Sequence, residues 1–194
     1  MKKLISVALL CTAPVSLLMA NEADVQKRVE DSRAVIQQFA QQLQGELGKA
    51  MKAGGPVAAI EVCQSAAPAI AEAESRKHGW TVGRTTTKLR NTNNAPDEWE
   101  LATLQKFEER IAKGESPMGM GHFEVVSQNG REVFRFMSAI GMPSLEQAPC
   151  LHCHGENIDT KITAKLDSLY PTDNARGYRP GMLRGAFTIT QPMN

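Results

Sequence analysis

Cys150-Leu151-His152-Cys153-His154, set late in the chain just after a hairpin signal, limits most strongly what these 194 residues can build. Cys-x-x-Cys-His is the attachment signature of a c-type haem. Two thiols three positions apart can each add to one vinyl group of the same porphyrin. The imidazole beside the second thiol is then held under the iron as its proximal ligand. The motif occurs once, so it predicts a single covalent haem c held by Cys150, Cys153 and His154.

Other uses of this spacing fit less well. A zinc ribbon needs a second Cys-x-x-Cys or His pair, and the chain has none. A thioredoxin-like dithiol sits in a βαβ pattern, which is not visible around residue 150. The N-terminus supports the haem reading, because such attachment takes place outside the cytoplasm. Lys2 and Lys3 precede an apolar stretch from Leu4 to about Leu18, and Ala20 ends a plausible cleavage site. Residues 1–20 therefore read as a secretory signal peptide, with 21–194 as one domain. The stretch is short for a membrane span and contains Pro14. Leu10 before Cys11 is bulky and the position is early, which speaks against a lipoprotein. The expected location is the periplasm, with no stable membrane insertion of the mature chain.

Charge adds an exclusion. The 22 basic side chains, less Lys2 and Lys3, face 21 acidic ones, a balance of −1. Nothing here recommends nucleic acid or an anionic surface as a partner. Cysteine arithmetic adds a question. Beyond Cys11 the chain keeps Cys63, Cys150 and Cys153. Two go to the haem, and one is left in an oxidising compartment.

Periodicity then places the elements. From about Glu22 to Met51, Val25, Val29, Ile36, Ala40, Leu43 and Leu47 share a helical face. Gly54-Gly55-Pro56 ends that helix, and a second runs from Pro56 to about His78, with Pro68 predicted to kink or split it. Thr81–Leu89 reads as a strand, Asn91–Pro96 as a turn and Asp97–Lys113 as a helix. Phe123–Ser127 and Arg131–Ser138 flank Asn129-Gly130, a strong hairpin signal. A short helix at about 158–169, a Gly- and Pro-containing loop and a last strand, Leu183–Thr190, follow. This order gives an α+β class. In small electron-transfer cytochromes the motif lies in the first helix, so its place here argues against that fold. Trp80 and Trp99 are expected in the core.

The sixth position on the iron stays open at this level. The methionines at 51, 118, 120, 137, 142, 182 and 193 are candidates, as are His78, His122 and His152. Cys63 competes with them. Ile60, Cys63, Ala67 and Ile70 fall on one helical face, which points Cys63 toward the core. Buried cysteines are also common as plain small hydrophobes. Arg84, Arg90, Arg176, Arg179 and Arg184 can each pair with a haem propionate, and solvated surface arginine is the default for all five.

The chain resembles the PAS-like c-type haem domains of bacteria and cyanobacteria, long described as a domain of unknown function. Four segments carry the resemblance: Ala59–Cys63 with Ala67–Ala71; Gly83–Asn91 with Asn94–Glu100; Cys150–Gly155; and Tyr170–Tyr178 with Gly181, Arg184, Gly185 and Ala186. Thr92 stands where the family tends to have proline, a departure that touches a turn. The resemblance implies a PAS-like antiparallel sheet flanked by helices, to which the apolar periodicity adds a long N-terminal helix. It also implies iron held by His154 and by a cysteine at the position of Cys63.

A thiolate ligand favours ferric iron and lowers the potential relative to a His/Met pair. Its release on reduction opens a site for CO or NO. The expectation is a redox- or gas-responsive module that signals to a separate partner, with a low-potential electron carrier and its redox partner as the rival. A haem enzyme, such as a peroxidase or nitrite reductase, finds no supporting spacing. The apolar stripe of the first helix leaves a homodimer open.

Overall fold

A computed structural model describes residues 15–193. Most of the expected 1–20 leader, including Lys2, Lys3 and Cys11, lies outside the described residues. The first helix, α1 (Val15–His78), is broken where the glycines predict a stop. Gly54 and Gly55 leave helical geometry, and Gly55 takes φ 68°, ψ −162°, a region open to glycine alone at little cost. The chain reverses there. Gln42 Nε2 donates to Glu74 Oε1 at 2.8 Å and Lys77 Nζ donates to Gln38 Oε1 at 3.0 Å, so the two arms run antiparallel.

Pro68 does not break the second arm, contrary to its sequence signal: no backbone angle near it leaves the helical region. The missing N–H and the ring clash are outweighed by packing. Ala67 is fully buried in that turn, and Ile60 and Ile70 are buried on either side of it.

Four strands form one antiparallel sheet in the order β1-β4-β3-β2. They are β1 (Thr81–Thr85), β2 (Gly121–Gln128), β3 (Arg131–Gly141) and β4 (Leu183–Pro192). β1 is shorter than the predicted 81–89. β2 and β3 close through Asn129 at φ 53° and Gly130 at φ 74°, the two positive values that a tight hairpin turn needs. The α1 arms cover one face, where Val29, Ile36, Phe39 and Ile70 meet Val82, Phe134, Phe136 and Ile189. Helix α2 (Glu98–Ala112) covers the other, where Leu104 and Phe107 meet Met120, Met137 and Ala186. Phe134 to Met137 are therefore buried on both faces of the sheet. Each large apolar side chain sealed there contributes roughly 1.5–3 kcal/mol. Trp80 packs against the first cluster and Trp99 against the second. The result is the expected α+β class: helices on both sides of an antiparallel sheet.

A capping box starts α2. Asp97 accepts from the Glu100 backbone N–H, and Glu100 accepts from that of Asp97. Both carboxylates also take buried Arg135 of β3, at 2.7 and 3.3 Å, which ties the helix to the central sheet.

One irregularity positions the site. The β3–β4 register slips between Ile140 and Gly141, the kind of bulge that bends a strand beside a functional region. Opposite it, Gly185 has φ 150°, and a Cβ there would lie 2.4 Å from the carbonyl oxygen of Thr85. Gly185→Ala therefore meets rigid backbone as well as a disfavoured angle. A loss of about 1–3 kcal/mol is expected, read as a lower urea midpoint with an unchanged m-value.

Candidate functional site

The motif forms a single turn of helix, α3 (Leu151–His154), opened by Cys150 in helical conformation. His154 N donates to Cys150 O at 3.0 Å and Gly155 N to Leu151 O at 2.9 Å. A Cβ on Gly155 would lie 2.6 Å from Leu151 O, so the turn requires glycine there. The loop beyond helix α4 (Thr160–Leu169) comes back to clamp the motif. Tyr178 N donates to His154 O, and Gly177 N to Gly155 O, both at 2.9 Å.

The imidazole of His154 is held in one sense. Its Nδ1 lies 2.7 Å from the carbonyl oxygen of Ala175. A carbonyl only accepts, so Nδ1 carries the proton. Burial, helped by the charges of Arg184 and Arg90, holds the pKa of His154 well below the usual histidine range. The ring is therefore neutral, with the lone pair on Nε2. That is the state in which histidine binds a metal, with the other nitrogen fixed by a hydrogen bond.

Arg90 braces this turn. Its Nη2 donates to Cys153 O at 2.6 Å and to Ala175 O at 3.3 Å. Its Nε and Nη2 grip Asp173 at 3.1 and 3.0 Å, and its Nη1 lies 3.4 Å from His154 Nε2. Both ends of the pair are buried, with side-chain exposures of 7% and 1%. Burial raises the Asp173 pKa, but hydrogen bonds from Arg90, Arg176 and the Ala175 backbone outweigh it and hold the carboxyl below its usual range.

Above His154 lies a largely apolar cavity of about 240 Å³. Cys150, Cys153 and His154 form one part of its wall and Cys63 of α1 another, so the structure brings all four sequence-predicted residues to one space. All three cysteines are free. Burial pushes each thiol above its usual pKa, Cys153 to about 11. Leu43, Leu47 and Met51 reach the cavity from the first arm of α1, and Ile140, Met142 and Phe187 from the sheet and the segment after β3.

The other candidates for the sixth position separate cleanly. Met118 is exposed, Met120 and Met137 pack on the far face of the sheet, and His152 is exposed. His78 stacks on Trp80 and His122 on Trp99, both away from the cavity. Of the methionines, Met51 and Met142 line it. Arg84, Arg90 and Arg184, for which solvated surface is the default from sequence, all line the cavity. Tyr170, which also lines the cavity, and Asp173 fall within the Tyr170–Tyr178 segment that carries the family resemblance, which assigns neither a role. Asp173 lies 83 positions from Arg90 in a loop without periodicity, so no local signal marks the pairing.

These residues suit a haem c. Two thiols stand on one helical turn, a neutral imidazole offers an Nε2 lone pair whose neighbour here is Arg90 Nη1 at 3.4 Å, a third sulfur lines the same space, and the lining is largely apolar. Comparisons with known proteins give a family and a fold. A family model described as Tll0287-like matches residues 20–192. The crystal structure of the cyanobacterial haem protein Tll0287 superimposes with a TM-score of 0.64 at 22% identity, over 87% of this chain and 96% of that one. The two share a fold. No curated protein sequence matches the chain.

Proposed function

The chain belongs to the Tll0287-like family, and from that premise we propose that it is a periplasmic monohaem c-type cytochrome acting as a redox- or gas-responsive module. In this reading Cys150 and Cys153 carry the haem through thioether bonds, His154 is the proximal ligand and Cys63 the distal one. The observation that carries it is the convergence of Cys150, Cys153, His154 and Cys63 on one apolar cavity.

Haem c supplies one-electron ferric–ferrous chemistry when bound. The chain supplies the rest. The Ala175 carbonyl accepts the hydrogen bond from Nδ1, so Nε2 is the nitrogen that would face iron, in place of the Arg90 Nη1 that lies 3.4 Å from it in this structure. Arg90 holds the motif turn through the Cys153 carbonyl. The largely apolar wall lowers the local dielectric, which strengthens each charge interaction inside.

Cys63 sits on the α1 arm that follows the Gly54–Gly55 break. Whatever holds or frees its sulfur acts directly on that arm. The arm packs on α4, where Ile60 meets Ile162 and Leu166, and on the sheet through Ile70. That linkage favours a responsive module over a rigid carrier, with a separate protein as the partner and CO or NO as ligands of the reduced iron.

The test is the intact mass of protein made in a host with c-type maturation. One haem added to the unfolded polypeptide is expected, and none in Cys150→Ala/Cys153→Ala. An unmodified wild-type mass under full maturation would end this reading.

A further inference from the structure

Three arginines line the cavity, and among the described residues only Arg90 has a carboxylate partner. Arg90 is satisfied by Asp173. Arg84, on β1, and Arg184, on β4, have no carboxylate partner among the described residues, although both are half-buried. Arg184 donates to Thr86 Oγ1 at 3.2 Å and faces the Tyr178 ring at 5.5 Å. Arg84 faces the Phe39 ring, 5.6 Å away, with Cys63 and Tyr170 near enough to act on its charge. Burial lowers the affinity of both guanidiniums for their protons; Cys63 offsets this at Arg84 and Tyr178 at Arg184, while a neighbouring arginine adds to it at each. Two like charges pressed into one apolar space are costly unless something anionic joins them.

We propose that Arg84 and Arg184 form a two-point clasp for the pair of propionate carboxylates on the haem. The proposal rests on the haem reading above and extends it to how the porphyrin is oriented. A guanidinium presents a planar fork of donors that matches a carboxylate. Their strand positions suit the role: Arg84 pairs with Phe187 in register, and Arg184 is the β4 residue that the β3–β4 register skips next to Gly185. The clasp is thus built on the rigid sheet. The cysteines and His154 approach from the motif turn, so the porphyrin is located from two independent elements.

The two charges then have opposite effects in the two states of the protein. Without haem they destabilise the fold, and with haem they hold it. The haem-free chain, produced without attachment machinery, is titrated with ferric protoporphyrin IX and with its dimethyl ester, which lacks both negative charges. The expected result is tighter binding of the free acid, by about tenfold for each carboxylate held, which corresponds to ~1.4 kcal/mol apiece. Arg84→Met and Arg184→Met should each reduce that preference, while raising the urea midpoint of the haem-free chain. Arg184→Lys keeps the charge without the fork and should fall between.

Equal binding of acid and ester by the wild type overturns the clasp, whatever the variants do. So does a methionine variant that is less stable haem-free yet keeps the full preference, because its arginine is then structural. Loss of a Cys63-dependent spectrum in Arg84→Met with the preference intact assigns Arg84 to the thiolate instead. A wild type that matures without covalent haem and binds neither porphyrin overturns the haem reading and the clasp together. Covalent haem with no ester discrimination overturns the clasp alone.

Discussion

An Arg90→Met variant will unfold about 3 kcal/mol more easily than its parent, the lower end of what is lost when one partner leaves a buried ion pair. Three losses combine. The Asp173 carboxylate, 1% exposed, loses its bidentate partner. The Cys153 and Ala175 carbonyls lose a charged donor. The loop bearing Ala175, which fixes the His154 ring, loses its tie to the segment after β1. Arg176 remains on Asp173 at 2.7 Å, which keeps the loss from being larger.

Acid sensitivity should change as well. In the parent, the depressed Asp173 carboxyl contributes stability that is present above its unfolded pKa and lost as pH falls through the folded value. Without Arg90 that folded value rises, so the variant loses stability at a higher pH. Urea midpoints measured between pH 3 and 7 read both effects. A variant as stable as the parent, with a superimposable acid limb, would mean that the His154 turn stands without Arg90.

That brace marks where sequence reading ran out. Elements whose signals are local were legible. The α1 stripe placed Val29 and Ile36 in the core, and Asn129-Gly130 placed the hairpin. The helical face of Ile60, Cys63, Ala67 and Ile70 pointed Cys63 inward, and Cys63 lines the cavity. The motif named its own three residues.

The misses are tertiary. Ser32 is fully buried in the α1 stripe, where Gln191 of β4 donates to its Oγ at 2.8 Å. Its partner lies 159 positions away. Pro68 stays helical because the neighbouring turns are packed. Arg84 and Arg184 read as solvated because charged residues usually are. Their inward placement follows from the β1–β4 pairing of strands about a hundred residues apart, which no local window contains.

Cys63→Ala will leave the fold nearly intact and change the haem most. The cysteine is half-buried, and its neighbours Ile60 and Ala67 carry the packing of that face. Removing one sulfur at the cavity wall therefore costs little stability. The electronic effect is larger. Axial ligands set haem potentials over a range of ~0.8 V, and an anionic sulfur favours the ferric state. Its loss should raise the reduction potential by on the order of 100 mV. The ferric low-spin thiolate signature in absorption and EPR should disappear with it. Cys63→Ser separates sulfur from size, because the hydroxyl keeps the volume but is a poor ligand, and it should behave like the alanine variant. CO added to the reduced wild type then tests whether the position opens on reduction. Identical spectra and potentials in wild type and both variants would remove Cys63 from the iron. The sixth ligand would then be sought in Met51 and Met142, the two methionines that line the same cavity, and a His/Met electron carrier would replace the responsive module.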